Sequence, residues 1–297
     1  MLRPLAVFVL AAVLPSQTPA APATADVPVG KAALHVQLGE LDLEVFTYRP
    51  AMWAGERLLF VMHGVLRNAD EYRDDAVSMG DRFDALIVAP KFDAERFPSR
   101  AYQRGGVQRE DGSAAPPNEW TYARIPELAA AMRARTGRPD AQLYVIGHSA
   151  GGQFVMRMSA FQDTGAVRLV AANPGSDLFP STELKFGYGF GGLPKELAND
   201  DRLRAYLAAP LTLYLGTADD HADDYFDKSA EAMQQGAGRH QRGLAAYWSA
   251  RTLAAQRGWP FAWRLVEAPG IEHDHTKMFE HANCAVALFG PGHAVAR

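Results

Sequence analysis

The stretch "YVIGHSAGGQF", Tyr144 to Phe154, decides how the rest of the chain is read. Strand-forming residues run into Gly147. A single serine, Ser149, then stands between Gly147 and the pair Gly151-Gly152, and a helix-like run, "GGQFVMRMSAF", follows. Gly147-His148-Ser149-Ala150-Gly151 fits G-x-S-x-G, the pattern of a sharp strand-to-helix turn called a nucleophile elbow. Such a turn brings the residues two before and two after the serine close together, so side chains there would collide and glycine is required. The turn lifts the serine hydroxyl above the sheet edge. It also aims the N–H of Ala150, at the helix start, at the same point, which makes Ala150 one donor of an oxyanion hole.

Working outward, other short apolar runs end in the same manner. "RLLFVMHG" (57–64), "DALIVAP" (84–90), "VRLVAAN" (167–173), "LTLYLG" (211–216) and "AWRLVEAPG" (262–270) resemble "QLYVIG" (142–147). Continuous apolar runs of this length suit strands buried on both faces of a parallel sheet. "ALHVQL" (33–38) and "LDLEVFTY" (41–48), separated by Gly39-Glu40, read as a leading antiparallel hairpin. Helical stretches fall between the strands, among them 125–137 and 243–258, each closed by glycine. The alternation predicts an α/β fold with a mostly parallel central sheet and helices on both faces. No internal repeat interrupts it, so residues 26–297 read as one domain.

A serine hydroxyl is a weak nucleophile unless a base contacts it and an acid orients the base. In elbow-type folds the acid follows a later strand and the base follows the last one. "LTLYLGTADD" offers Asp219 and Asp220, of which Asp219, three residues past Gly216, is preferred. "VEAPGIEHDHTKMF" offers His273 and His275, of which His273, three residues past Gly270, is preferred. The second oxyanion donor is expected after "LLFVMHG". Gly64 lets backbone approach a substrate, and the N–H of Val65, or of Leu66, would point inward, with His63 holding the loop. Two long segments, 96–120 and 173–196, are too long for ordinary connections and should lie at the C-terminal ends of strands. In the second, Phe179, Phe186, Tyr188 and Phe190 are expected to line the substrate pocket.

With these residues in place the chain resembles an α/β-hydrolase. More narrowly, "VMHGVLRNADEYRD", "GHSAGGQFVMR" and "PGIEHDHTKMF" resemble secreted bacterial hydrolases of the poly(3-hydroxybutyrate) depolymerase-like and feruloyl-esterase-like kind. The resemblance implies a serine esterase working through an acyl-enzyme, without metal or cofactor. It departs from the usual pattern at Glu272, where a glycine normally precedes the late histidine. The rival readings are a binding protein on a hydrolase scaffold and a metal-dependent hydrolase built on His273, Asp274 and His275 with His221, Asp223, Asp224 and His281. The latter lacks H-E-x-x-H or a Cys/His cluster.

The whole-chain properties set the remaining bounds. The 297 residues carry a formal charge of −4 and are 48% hydrophobic, which fits a large core and gives no basic surface for nucleic acid. Arg3, the apolar run Leu5–Leu14 and Ala23-Thr24-Ala25 read as a cleavable signal peptide over residues 1–25. A periplasmic or secreted protein without stable membrane insertion is therefore expected, acting on a small or oligomeric ester. The lone cysteine, Cys284, lies in the helical stretch "KMFEHANCAVALF" and reads as a small buried apolar residue.

Overall fold

The apolar runs form the strands, and their alternating side chains build two cores. A computed structural model describes residues 26–292 of the chain; the expected signal peptide lies outside the described residues. A leading hairpin, β1 (Gly30–Leu38) and β2 (Leu41–Arg49), is followed by β3 (Arg57–Met62), β4 (Ala85–Pro90), β5 (Gln142–His148), β6 (Arg168–Ala172), β7 (Leu211–Gly216) and β8 (Arg264–Ala268). They form one eight-stranded sheet in the order β1-β2-β4-β3-β5-β6-β7-β8. The contacts of β2 with β1 and β4 are antiparallel and all the others are parallel. Successive residues of a strand face opposite sides. Leu58, Phe60 and Met62 of β3 accordingly enter one core, and Leu59 and Val61 enter the other.

The helices divide between those cores. On one face lie α1 (Ala69–Asp75), α2 (Val77–Phe83), α8 (His275–Glu280) and α9 (Asn283–Phe289), which bury Tyr72, Met79, Met278 and Leu288. On the other lie α3 (Arg124–Thr136), α4 (Ala150–Phe161), α5 (Asp200–Ala208) and α7 (Arg239–Arg257), which bury Leu128, Phe154, Leu203 and Ala246. A short α6 (Ala230–Gln235) precedes α7. Fully burying a side chain such as Phe154 or Leu128 contributes about 1.5–3 kcal/mol.

Two boundaries differ from the sequence reading. The stretch around Cys284 is two helices, because the chain turns at His281-Ala282 and His281 Nδ1 accepts the N–H of Asn283 at 3.1 Å. Cys284 itself is buried beside Met79, and burial pushes its thiol up to about 12. Helix α7 begins at Arg239, four residues before the expected Gly243, and that extra turn carries two buried arginines, Arg239 and Arg242.

The parallel strands β3, β5, β6, β7 and β8 end along one edge. Met62 pairs with Gly147, Gly147 with Ala171, and Gly216 with Ala268. Every segment that carries a candidate functional residue leaves from this edge.

Candidate active site

Ser149 connects β5 to α4 with φ 58° and ψ −118°, a strained backbone for a residue with a side chain. The turn is held from both sides. The N–H of Ser149 donates to the Ala172 carbonyl at 3.1 Å, and its own carbonyl accepts the N–H of Gln153 at 3.0 Å. The flanking glycines have backbone neighbours rather than open space. A Cβ at Gly147 would stand 2.3 Å from the Gly151 carbonyl oxygen, and one at Gly151 would stand 2.2 Å from the Met62 carbonyl oxygen. Ser149 is half-buried at the mouth of a cavity of about 380 Å³ that Val65 and Ala150 also line.

The loop after β3 is braced by His63. Its Nε2 accepts the N–H of Phe92 at 3.1 Å, so the proton resides on Nδ1, which donates to the Gly64 carbonyl at 3.0 Å. Burial lowers its pKa to about 4. His63 is therefore neutral and holds the backbone that presents Val65. Tyr102 stacks on its ring and donates to its carbonyl at 2.8 Å. A Cβ at Gly64 would lie 2.7 Å from the Tyr72 hydroxyl and 3.9 Å from the Ser149 Cβ, so this loop packs directly over the serine.

Asp219 lies three residues past the end of β7 and is buried, whereas Asp220 is exposed. One Asp219 oxygen bonds His273 Nδ1 at 2.7 Å; the other accepts from Arg239 Nη1 at 3.2 Å. Arg239 also pairs with Asp223 at 2.8 Å. The His273 ring lies 4.5 Å from that of His148, the residue before Ser149. His275 is engaged elsewhere: it bonds Asp75 at 2.7 Å and stacks on Tyr72 at 4.0 Å. His148 is fully buried, and burial beside His273 and His275 holds its pKa well below the ordinary value. Among the described residues no cluster of three or more His, Cys, Asp or Glu is arranged to hold a metal ion.

Glu272, which departs from the expected pattern, contributes its backbone. Its carbonyl accepts from Asn173 Nδ2 at 3.1 Å, while Asn173 Oδ1 accepts the Gly216 N–H at 2.7 Å. Asn173, buried and at φ 41°, thus ties the loop that carries His273 to strand β7, which leads to Asp219. The sequence reading missed it. An asparagine at the end of a buried strand, where positive φ is tolerated, was the available signal.

The aromatic insertion needs correction. Of Phe179, Phe186, Tyr188 and Phe190, only Tyr188 lines the cavity that holds Ser149. Phe186 and Phe190 are buried against Phe161 of α4, and Phe190 also packs on Tyr206 of α5. Phe179 is half-buried against the same core. The insertion folds back onto α4 and α5 because its rings find apolar partners there and bury more surface than a pocket wall would. Polar residues take the wall instead: Gln103, Arg104, Gln153, Arg157 and Ser176 line it. Gln103 donates to Gln153 at 2.7 Å, and Ser176 accepts from Gln153 and Arg157 at 3.0 and 3.2 Å. Arg157, an arginine inside a helix that is otherwise almost wholly apolar, was a legible clue.

An eight-stranded, mostly parallel sheet with helices on both faces and a serine on a strained β5–α4 turn defines the α/β-hydrolase fold. No family model matches the chain, and no curated protein matches it. Solved structures do. Poly(aspartic acid) hydrolase-1 from Sphingomonas sp. KT-1 is 34% identical at a TM-score of 0.80, over 85% of this chain and 96% of that one. LpqC, a poly(3-hydroxybutyrate) depolymerase from Bordetella parapertussis, is also 34% identical at 0.80, over 87% of this chain and 89% of that one. The siderophore hydrolase EstB from Aspergillus nidulans, 15% identical at 0.51 over 92% of this chain and 99% of that one, shares the fold. The chain belongs to the poly(3-hydroxybutyrate) depolymerase-like branch of the α/β-hydrolase family, serine hydrolases of the ester-bond class.

Proposed function

We propose that this chain is an exported serine esterase in which Ser149 is the nucleophile, His273 the base and Asp219 the orienting acid. The observation that carries the reading is the 2.7 Å bond between Asp219 and His273 Nδ1, set beside the strained elbow of Ser149. His273 Nε2 takes the Ser149 proton as Oγ attacks the ester carbonyl. The N–H groups of Val65 and Ala150 stabilise the oxyanion. Collapse of the tetrahedral intermediate breaks the ester C–O bond, and His273 returns its proton to the departing alcohol. Water then attacks the acyl-enzyme by the same route and frees the acid and Ser149.

The relatives' named substrates, poly(3-hydroxybutyrate) and poly(aspartic acid), are both polymers. The first is a polyester and supports a polyester or hydroxyalkanoate oligomer as the substrate class; the second is a polyamide and supports only a chain-like substrate. Export rests on the N-terminal pattern of Arg3, Leu5–Leu14 and Ala23-Thr24-Ala25. An exported product beginning at Asp26, measured by mass, would support it.

Ser149→Ala should lower ester turnover by up to about 10⁶-fold with the circular dichroism spectrum unchanged. It should also abolish labelling by a fluorophosphonate. A variant that keeps more than a few per cent of activity removes Ser149 from the mechanism.

A further inference from the structure

The cavity that holds Ser149 is lined by Arg100, Arg104, Arg157 and Arg239, with Asp227 the single carboxylate on its wall. Two of these cations are matched within the chain. Arg239 pairs with Asp219 and Asp223, and Arg100 pairs with Glu110 at 2.8 Å. Arg104 and Arg157 make no ion pair among the described residues. Asp227 is occupied by the Tyr188 hydroxyl at 2.9 Å and the Ser229 N–H at 3.0 Å.

The two unmatched guanidinium groups meet at one residue. Arg157 is 2% exposed; its Nε donates to the Gly187 carbonyl at 2.9 Å, and its buried Nη1 has no acceptor. Arg104 packs on the other side of the same glycine, where a Cβ would stand 2.8 Å from its Nε, and lies 5.7 Å above the Tyr188 ring. Gly187, at φ 104°, is what lets both cations approach. Like charges brought together beside a half-enclosed cavity repel each other, and a buried cation without a counterion is strongly disfavoured. The buried acid Asp177 attracts Arg157 and Arg242 across a gap, but its carboxyl oxygens make no hydrogen bond, so it leaves Arg157 Nη1 without an acceptor and does not reach Arg104. A carboxylate entering the cavity would supply the missing charge and the missing acceptors.

We propose that Arg104 and Arg157 form a carboxylate subsite of the Ser149 cavity, so that the preferred substrate is an ester carrying a free carboxylate. Monoesters of dicarboxylic acids and hydroxy-acid oligomers with a free acid end are the chemical class. The inference rests on the serine-esterase reading for its turnover test but not for its binding test.

The turnover test compares mono-p-nitrophenyl glutarate with its methyl ester, which has the same chain without the charge. The full-length protein should favour the anionic ester by about tenfold or more in kcat/KM, the range expected of a charge-assisted hydrogen bond. Arg104→Gln should bring that ratio to within about twofold of unity. Arg257→Gln, on the surface and paired with Asp200, should leave the ratio unchanged. Arg104 carries the test because Arg157 also anchors the 173–196 segment through Gly187 and Ser176, so its loss would disturb folding together with binding. The binding test is calorimetric titration of Ser149→Ala with glutarate, which should bind and should weaken by about tenfold or more when Arg104→Gln is added. Equal turnover of the two esters, or glutarate binding indifferent to Arg104, overturns the subsite. If neither ester is turned over while glutarate binding still depends on Arg104, the subsite stands and the catalytic reading falls.

Discussion

Replacing Arg239 with methionine keeps most of the side-chain volume but removes the cation from one side of Asp219. Both side chains of that pair are 1% exposed, and their contact is 3.2 Å. Breaking a buried pair from one side costs about 3–5 kcal/mol, because the surviving charge is left without its partner. For a chain of this length each kcal/mol moves Tm by about 2 °C, so Arg239→Met should melt roughly 6–10 °C lower. Asp219 would keep its 2.7 Å bond to His273, so activity should survive in part. On a neutral p-nitrophenyl ester, kcat should fall about tenfold to a hundredfold with KM nearly unchanged, since the arginine positions the acid and does not touch the reacting carbonyl. Thermal melts read the first effect and steady-state kinetics read the second. A Tm within about 2 °C of the parent, or a change confined to KM, would refute the assignment of Arg239 as the anchor of Asp219.

Asp219→Asn should lower turnover by about 10⁴-fold through the wrong imidazole tautomer, while the exposed Asp220→Asn should cost little; the reverse ranking in kcat assays would move the acid by one residue. Gly151→Ala should destabilise the fold and disable the elbow together, because its Cβ would fall 2.2 Å from a backbone carbonyl that cannot rotate away; a variant with parental kcat and melting temperature would count against the close-packed turn. His63 gives a pH effect of defined sign. Its folded pKa, about 4, lies below the unfolded value of about 6.5, so the unfolded chain binds more protons between them and stability falls as pH drops through that window. Buried His148 adds a loss of the same sign, so stabilities from urea melts at pH 7.5 and pH 4.5 should fall by about 2–3 kcal/mol more in the parent than in His63→Gln; equal losses in both would remove His63 as a source.

What could be read in the sequence and what could not divide along a physical line. Gly147 and Gly151 were legible because backbone contacts within the turn demand glycine whatever surrounds it. That Asp219 meets His273 was legible because strand ends can be located from apolar runs, and the sheet edge then fixes which loops come together. Arg239 was not. It lies 20 residues from Asp219 in an extra helical turn that no apolar periodicity marks. The insertion aromatics were misplaced for a related reason. Phe186 and Phe190 answer to Phe161 and Tyr206, and nothing local to residues 173–196 says which surface the loop will fold against. Arg104 sits in a polar loop, where its meeting with Arg157 at Gly187 is purely tertiary.

Gln103 bonds Gln153, and Gly187 bonds Arg157, so both wall-forming insertions are fastened to α4, the helix that begins directly after Ser149. The walls are therefore not interchangeable modules. A grafted loop that lacks the glycine or the glutamine would leave these two α4 side chains nothing to grip. It would loosen the helix that starts beside Ser149. Selectivity in this enzyme is best altered by paired exchanges, loop and α4 together, and a lineage that changed one alone would be expected to lose rate before it gained a new substrate.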